Sequence, residues 1–350
     1  MRMTAPLFVT RDDTLLDELL RLAAAAGVTP EVAHDGAAAL RGWAAAPLVL
    51  LGADLADEVA RTGPTRRAGV VVVAWGDVPD DLFRTALAVG AESVAELPRS
   101  DAWVTETLTD LGERGRSRGL VVGVVGGSGG AGATTFACAL AQVAARSGPA
   151  VVIDADPLGP GADRMLGLES SDGVRWDALC RTTGRLSARS LREAVPRRAG
   201  LGVLTWYAGA TVRLQAFALR EALSAAQRGH DTVVLDLPRS PDAVVDEVVA
   251  RCDRLLVVVV PTVAGVASAG RVCARFADPS RLGLVVRGNG VEPDEIARVT
   301  GVPVVTRMAD QRGLAEAVDL GLGPVRSRRG PLARAADEVL TRLTVMRAAA

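Results

Sequence analysis

The residues best equipped for chemistry lie in one glycine-rich stretch, Gly126-Gly127-Ser128-Gly129-Gly130-Ala131-Gly132-Ala133-Thr134-Thr135. It follows an unbroken apolar run, residues 120–125, and leads into a helix-forming segment of Ala, Leu and Val. Backbone N–H groups of such a loop, with the N-terminus of the helix behind it, make an anion site suited to phosphates. Two devices share this form. In a dinucleotide fingerprint, Gly127, Gly129 and Gly132 satisfy G-x-G-x-x-G, and Asp154 at the end of the next apolar run would meet a ribose hydroxyl. In a P-loop the last glycine is followed by Lys and then Ser or Thr; those places hold Ala133 and Thr134, so the pattern fails at its lysine. Downstream, residues 151–157 (VVIDADP) end an apolar strand in two carboxylates, Asp154 and Asp156. Residues 231–238 (DTVVLDLP) end another in Asp236, the form of a Walker B strand.

Such groups are gathered at the C-terminal edge of a parallel sheet, and the surrounding sequence supplies one. Apolar runs at 120–125, 150–153, 202–206, 232–235, 254–260, 282–286 and 302–306 are separated by helical-period stretches, notably 214–228, 242–251 and 263–277. Seven strands at this spacing predict a doubly wound parallel α/β domain over residues 120–350. Ahead of it, runs at 7–10, 28–33, 48–51, 70–74 and 93–97 alternate with helical stretches such as 13–26 and 80–89. Five strands in a segment of this length predict a flavodoxin-like unit over residues 1–111. The intervening residues 112–119 (GERGRSRG) are polar and without apolar periodicity, and read as a linker.

Composition narrows the chemistry. The net charge is −1, so no global basic field draws the chain to DNA or anionic lipid, and aromatics at 3% leave few stacking platforms for single-stranded nucleic acid. All 40 basic residues are arginine; with no lysine anywhere, every mechanism that needs one is excluded. Cys138, Cys180, Cys252 and Cys273 are far apart and read as reduced thiols. The N-terminus lacks a signal-peptide pattern and the longest apolar run is far short of a membrane span, which predicts a soluble, cytoplasmic protein.

The glycine loop, D-x-D-P and strand-Asp-x-Pro, in that order, closely resemble the MinD/ParA family of deviant-Walker P-loop proteins. That resemblance implies that Gly127, Gly129, Gly130 and Gly132 cradle phosphates together with Ala133, Thr134 and Thr135. It implies Thr134 and Asp236 at a Mg²⁺ ion, with Asp154 and Asp156 as the switch pair beside it. The family's two lysines fall on Ser128 and Ala133. A hydrogen bond to a charged group contributes roughly 1.5–3 kcal/mol, and a cation stabilising transition-state charge in trans is worth on the order of 10³–10⁵ in rate. Their loss predicts weakened ATP or ADP binding, or none, and hydrolysis all but abolished. At the family's adenine-pocket asparagine stands Arg287, which can stack on a purine but offers no acceptor to its amino group.

The first unit resembles a response-regulator receiver. Asp12 and Asp13 follow the first strand, where that family keeps metal-binding acids. The phosphate-accepting position is Gly52, with Asp54 two residues on, and Leu97 stands at the family's lysine before Pro98. This implies a pseudo-receiver used for docking or dimerisation. A receiver-like unit followed by a deviant MinD-like domain resembles the CpaE/TadZ family, and within it the actinobacterial CpaE-like branch linked to septum site determination. The resemblance implies a homodimeric scaffold that positions secretion or pilus machinery or the division septum. Its partners would be a secretion/pilus ATPase or division machinery, with no specific nucleic acid. It implies recruitment to the cell pole, septum or inner membrane face, with at most peripheral membrane association. The alternative is a slow ATPase of the MinD/ParA type activated by a partner.

Two histidines, His34 and His230, are too few for a multi-His metal site or a convincing triad, and His230 reads as structural. Leu332, Ala336, Val339, Leu340, Leu343 and Met346 recur at helical spacing near the C-terminus and read as a core-packing face.

Overall fold

The computed structural model describes residues 5–76, 78–114, 118–181, 186–207 and 213–349. The chain divides into two compact units, Met1–Ser117 and Arg118–Ala350.

In the first unit β1 (Leu7–Val9), α1 (Asp13–Ala26), β2 (Glu31–Ala33), α2 (Gly36–Trp43) and β3 (Val49–Gly52) come first. α3 (Ala53–Arg61), β4 (Val70–Trp75), α4 (Asp80–Val89), β5 (Ser93–Leu97) and α5 (Asp101–Arg114) complete it. All five strands are parallel, in the order β2-β1-β3-β4-β5. Alternation along β1 sends Leu7 and Val9 to the face covered by α2, α3 and α4, and Phe8 to the face covered by α1 and α5. Of the expected linker 112–119, residues through Arg114 are helical, in α5, and residues 115–117 lie outside the described residues.

The second unit begins with β6 (Leu120–Gly126), α6 (Ala133–Ala144), β7 (Ala150–Asp154), α7 (Ala162–Leu166) and α8 (Trp176–Leu179). It continues with α9 (Ala188–Ala194), β8 (Arg197–Arg198), β9 (Leu201–Leu204), α10 (Ala216–Gly229) and β10 (Thr232–Leu237). α11 (Ala243–Val249), β11 (Arg254–Val259), α12 (Val263–Cys273), β12 (Leu282–Arg287) and α13 (Pro293–Thr300) follow. β13 (Val304–Met308), α14 (Leu314–Asp319) and α15 (Pro331–Ala349) end it. The sheet order is β13-β12-β11-β6-β10-β7-β9-β8, parallel except for β8. β8, an eighth strand, is two exposed arginines antiparallel to β9, too short and polar to make an apolar run.

The central strands are Val-rich and buried on both faces, as crossover helices on each side require. Val121, Val125, Val151, Ile153, Val233 and Leu235 meet α10, α11 and α12 on one face. Val122, Val124, Val152 and Val234 meet α6 and α15 on the other. Asp154 and Asp236 continue this second row, so both carboxylates emerge on the α6 side. Along α15, Leu332, Ala336, Val339 and Leu343 are buried and Leu340 partly so, whereas Met346 is 50% exposed. His230 is buried with Nδ1 3.1 Å from Ala226 O, and burial pushes its pKa down. All four cysteines are free.

Candidate functional site

The glycine loop joins β6 to α6 beside the ends of β10 and β11. Gly127 N–H donates to Val258 O at 2.8 Å and fixes its entry. A Cβ at Gly127 would stand 2.8 Å from Ala269 Cβ and 3.1 Å from Val258 O, so α12 packs directly on loop backbone and only glycine fits. Ala131 N–H donates back to Ser128 O at 3.3 Å, and Gly130 and Gly132 adopt φ of 71° and 93°, left-handed values that glycine reaches at no steric cost. Gly132 is the N-cap of α6 and supplies no side-chain acceptor, so the first-turn N–H groups must be met by solvent or a ligand. Ala133, Thr134 and Thr135 form that first turn, while Ser128, Gly129 and Gly130 make its partly open outer edge. Neither Ser128 nor Ala133 brings charge to this cradle.

β7 and β10 are neighbours in register, with Asp154 directly opposite Asp236, and both are 1% exposed. Asp154 is fully engaged. Its Oδ2 accepts from Thr205 Oγ1 at 2.7 Å and Ala162 N at 3.1 Å, and its Oδ1 accepts from Asp156 N at 3.1 Å. Trp176 Nε1 donates to its carbonyl at 2.7 Å. Burial raises the Asp154 pKa to about 6 despite those bonds. Asp156 turns away to accept from Leu158 N at 3.0 Å.

Asp236 differs, because its buried Oδ2 has no hydrogen-bond partner. Burial first, then the charge of Asp154, push its pKa well up, and the Thr134 hydroxyl, donating toward the carboxyl, works the other way. Thr134 and Asp236 stand side by side, while Asp154 accepts from Thr205 and from backbone between β7 and α7, and one Asp156 oxygen accepts from Leu158 N. Among the described residues no three Asp, Glu, His or Cys side chains converge as a metal cluster. A hydroxyl and an unpartnered carboxylate oxygen are hard donors of the kind Mg²⁺ takes, so this pair fits that ion. The glycine cradle fits a phosphate chain by its backbone, without the cations.

Arg287 ends β12 and reaches over the loop. Nε donates to Asp310 Oδ1 at 2.8 Å, and Nη1 lies 3.4 Å from the carbonyl oxygens of both Gly130 and Ala131. A Cβ at Gly132 would come 3.0 Å from Nη1. With Thr135, Met308, Leu314 and Leu332, these groups border a cavity of about 410 Å³. Asp310 and Thr205 carry no motif in the sequence. What marks them is position, just beyond β13 and β9, at the strand ends where open α/β sheets gather ligand groups.

At the receiver-like site, Asp12 caps α1 by accepting from Thr14 N and Leu15 N, and Asp13 opens the helix. Asp54 accepts from Thr10 Oγ1 at 2.8 Å and Arg11 N at 2.7 Å. A Cβ at Gly52 would run into the Asp54 carboxylate and stand 2.9 Å from Thr10 Cβ. The acceptor place is thus filled by a carboxylate reaching back from α3 and bonded to the strand-end residues. Leu97 is fully buried.

A family described as "Rv3660c-like, CheY-like N-terminal domain" matches residues 9–119. Over 346 residues the chain is 37% identical to the uncharacterized protein Rv3660c of Mycobacterium tuberculosis (strain H37Rv), covering 94% of this chain and 95% of that protein. Its fold is similar to a ParA family ATPase from Chlorobium tepidum, with TM-score 0.53 and 20% identity over 64% of this chain and 99% of that one. It is also similar to the septum site-determining protein MinD of Pyrococcus horikoshii, solved with Mg-ADP, with TM-score 0.54 and 15% identity over 65% of this chain and 97% of that one. The MinC:MinD cell division complex of Aquifex aeolicus gives TM-score 0.54 and 18% identity over 65% of this chain and 96% of that one. This chain therefore belongs to the Rv3660c family, with a CheY-like N-terminal domain followed by a parallel-sheet domain of MinD/ParA fold.

Proposed function

We propose that this protein is a MinD-like positioning scaffold whose nucleotide site keeps its backbone and has lost its catalytic charges. The observation that carries the reading is a formed glycine cradle with Ser128 and Ala133 at the lysine places. Asp154 and Asp156 support it, since Asp154 braces Ala162, Asp156 and Thr205, and Asp156 accepts from Leu158 N. Thr134 and Asp236 would hold Mg²⁺, and a bound Mg²⁺ would screen part of the phosphate charge. For its own part the loop offers backbone N–H groups to phosphate, and Ser128 and Ala133 bring no charge to it.

The Aquifex aeolicus neighbour is a MinC:MinD complex, which supports a partner-bound role for this fold. We place the chain as a homodimer that localises a secretion, pilus or division apparatus, with the CheY-like domain as a docking module. The supporting observation there is the filled acceptor site at Gly52 and Asp54. Steady-state phosphate release from ATP–Mg²⁺ by the purified full chain tests the claim about catalysis. Release no faster than that of Asp236→Asn is expected. Turnover that this substitution abolishes would overturn it.

A further inference from the structure

Resting on the reading of the loop as a retained phosphate cradle, we infer that Arg287 and Asp310 form a latch in the base position, so that the site takes a phosphate chain and gains nothing from a purine. The guanidinium ties together three separate segments. It starts at the last residue of β12, bonds Asp310 in the segment after β13, and lies against the carbonyls of Gly130 and Ala131 in the loop after β6. A purine in the adjoining cavity of about 410 Å³ would have to bridge the same segments.

Arginine carries donors only, so Arg287 offers no acceptor to a purine amino group, and its Nε holds Asp310 Oδ1. A Cβ at Gly132 would come within 3.0 Å of Nη1, so the guanidinium packs against the last loop glycine, and both border the cavity. Nη1 reaches the carbonyl side of the loop, leaving the N–H groups that would face phosphate untouched. The side chains of Arg287 and Asp310 are 35% and 70% exposed, so their ion pair makes the latch a weak one. Apparent affinity for a base falls with the fraction of time the latch is open, and a pair this exposed sets that penalty at up to about fivefold.

The test compares ATP, GTP and inorganic triphosphate, each with Mg²⁺, by calorimetry on full-length Ala133→Lys and on the same chain carrying Arg287→Ala or Asp310→Ala. The Ala133→Lys background serves to bring binding into range. With the latch intact, all three ligands are expected to bind alike. Arg287→Ala should tighten ATP by up to about fivefold and leave triphosphate unchanged. Asp310→Ala, which keeps the Arg287 charge and frees it, should move ATP in the same direction. A clear preference for ATP over triphosphate while Arg287 and Asp310 are both present overturns the proposal. So does triphosphate binding weakened by Arg287→Ala, which would make Arg287 a phosphate ligand. If Ala133→Lys binds none of the ligands, the cradle reading fails on its own, and the latch is read without ligand by amide hydrogen exchange. Faster exchange at both 131–135 and 309–314 in Arg287→Ala supports the latch, and unchanged exchange overturns it.

Discussion

Ala133→Lys restores one of the missing charges at a position the fold has kept. Ala133 is the first residue of α6, immediately after Gly132 and partly exposed, so a lysine there extends along the loop without entering the core. An ammonium beside the phosphates adds a charge-assisted contact of roughly 1.5–3 kcal/mol. That corresponds to roughly ten- to hundredfold in Kd. The same charge opposes the helix dipole at the N-terminus of α6, which costs about 0.3–1 kcal/mol without ligand. The variant should therefore melt about 1–4 °C below the parent when alone. With ATP–Mg²⁺ or triphosphate–Mg²⁺ in excess it should melt above the parent. Calorimetry gives the affinities and scanning fluorimetry the melting points. Binding of both ligands no tighter than in the parent refutes the reasoning, because the loop would then lack cradle geometry whatever its sequence.

Acetyl-phosphate treatment should leave Asp54 unmodified by mass spectrometry; a stoichiometric acyl-phosphate contradicts this, since both its oxygens are bonded to Thr10 and Arg11. Gly52→Asp should destabilise the first unit by about 1–3 kcal/mol through overpacking against Asp54 and Thr10, read as a lower Tm. Burial holds Asp154 near 6 against an ordinary 3.8, and Asp236 is also raised, so above about pH 4 these two groups hold more protons in the folded chain than in the unfolded one. Their contribution to stability is fullest below that pH and falls as pH rises through 6, by roughly 3 kcal/mol for Asp154. Asp236→Asn should accordingly raise Tm more at pH 8 than at pH 5, and equal gains at both would count against the account. Self-association should not require ATP, because Ser128 is too short and neutral to sense a partner's phosphate; a monomer by light scattering that dimerises only on adding ATP–Mg²⁺ refutes this.

Where periodicity and burial coincide, the architecture is legible in the sequence. The apolar runs at 120–125 and 232–235 became β6 and β10 because strands buried on both faces have no polar residues to break the pattern. β8 escaped for the opposite reason, since two arginines at a sheet edge have no apolar signature. At the site, Gly127, Gly130 and Gly132 reported the loop, because the close approach of Ala269 at the first and φ above zero at the other two favour glycine. Carboxylate roles were less legible. Asp154 and Asp236 both end apolar strands, yet one is spent on Ala162, Asp156 and Thr205 while the other has an unpartnered oxygen. The difference lies in Thr205, which is 51 residues from Asp154 in the chain and reaches it only through the pairing of β7 with β9. Arg287 was visible as a departure, but its partner Asp310 belongs to another strand end and carries no motif.

The central claim is that positioning does not depend on a nucleotide cycle. Its most direct test is the cellular distribution of a fluorescently tagged full-length chain carrying Thr134→Ala and Asp236→Asn, expressed at the parent's level in its own cells. Both substitutions remove the groups that fit Mg²⁺, and the amide matches the buried carboxyl in size, so the fold is retained. The account predicts foci at the same cellular positions and in the same numbers as the parent. A variant that is stably present but spread evenly through the cell would contradict it.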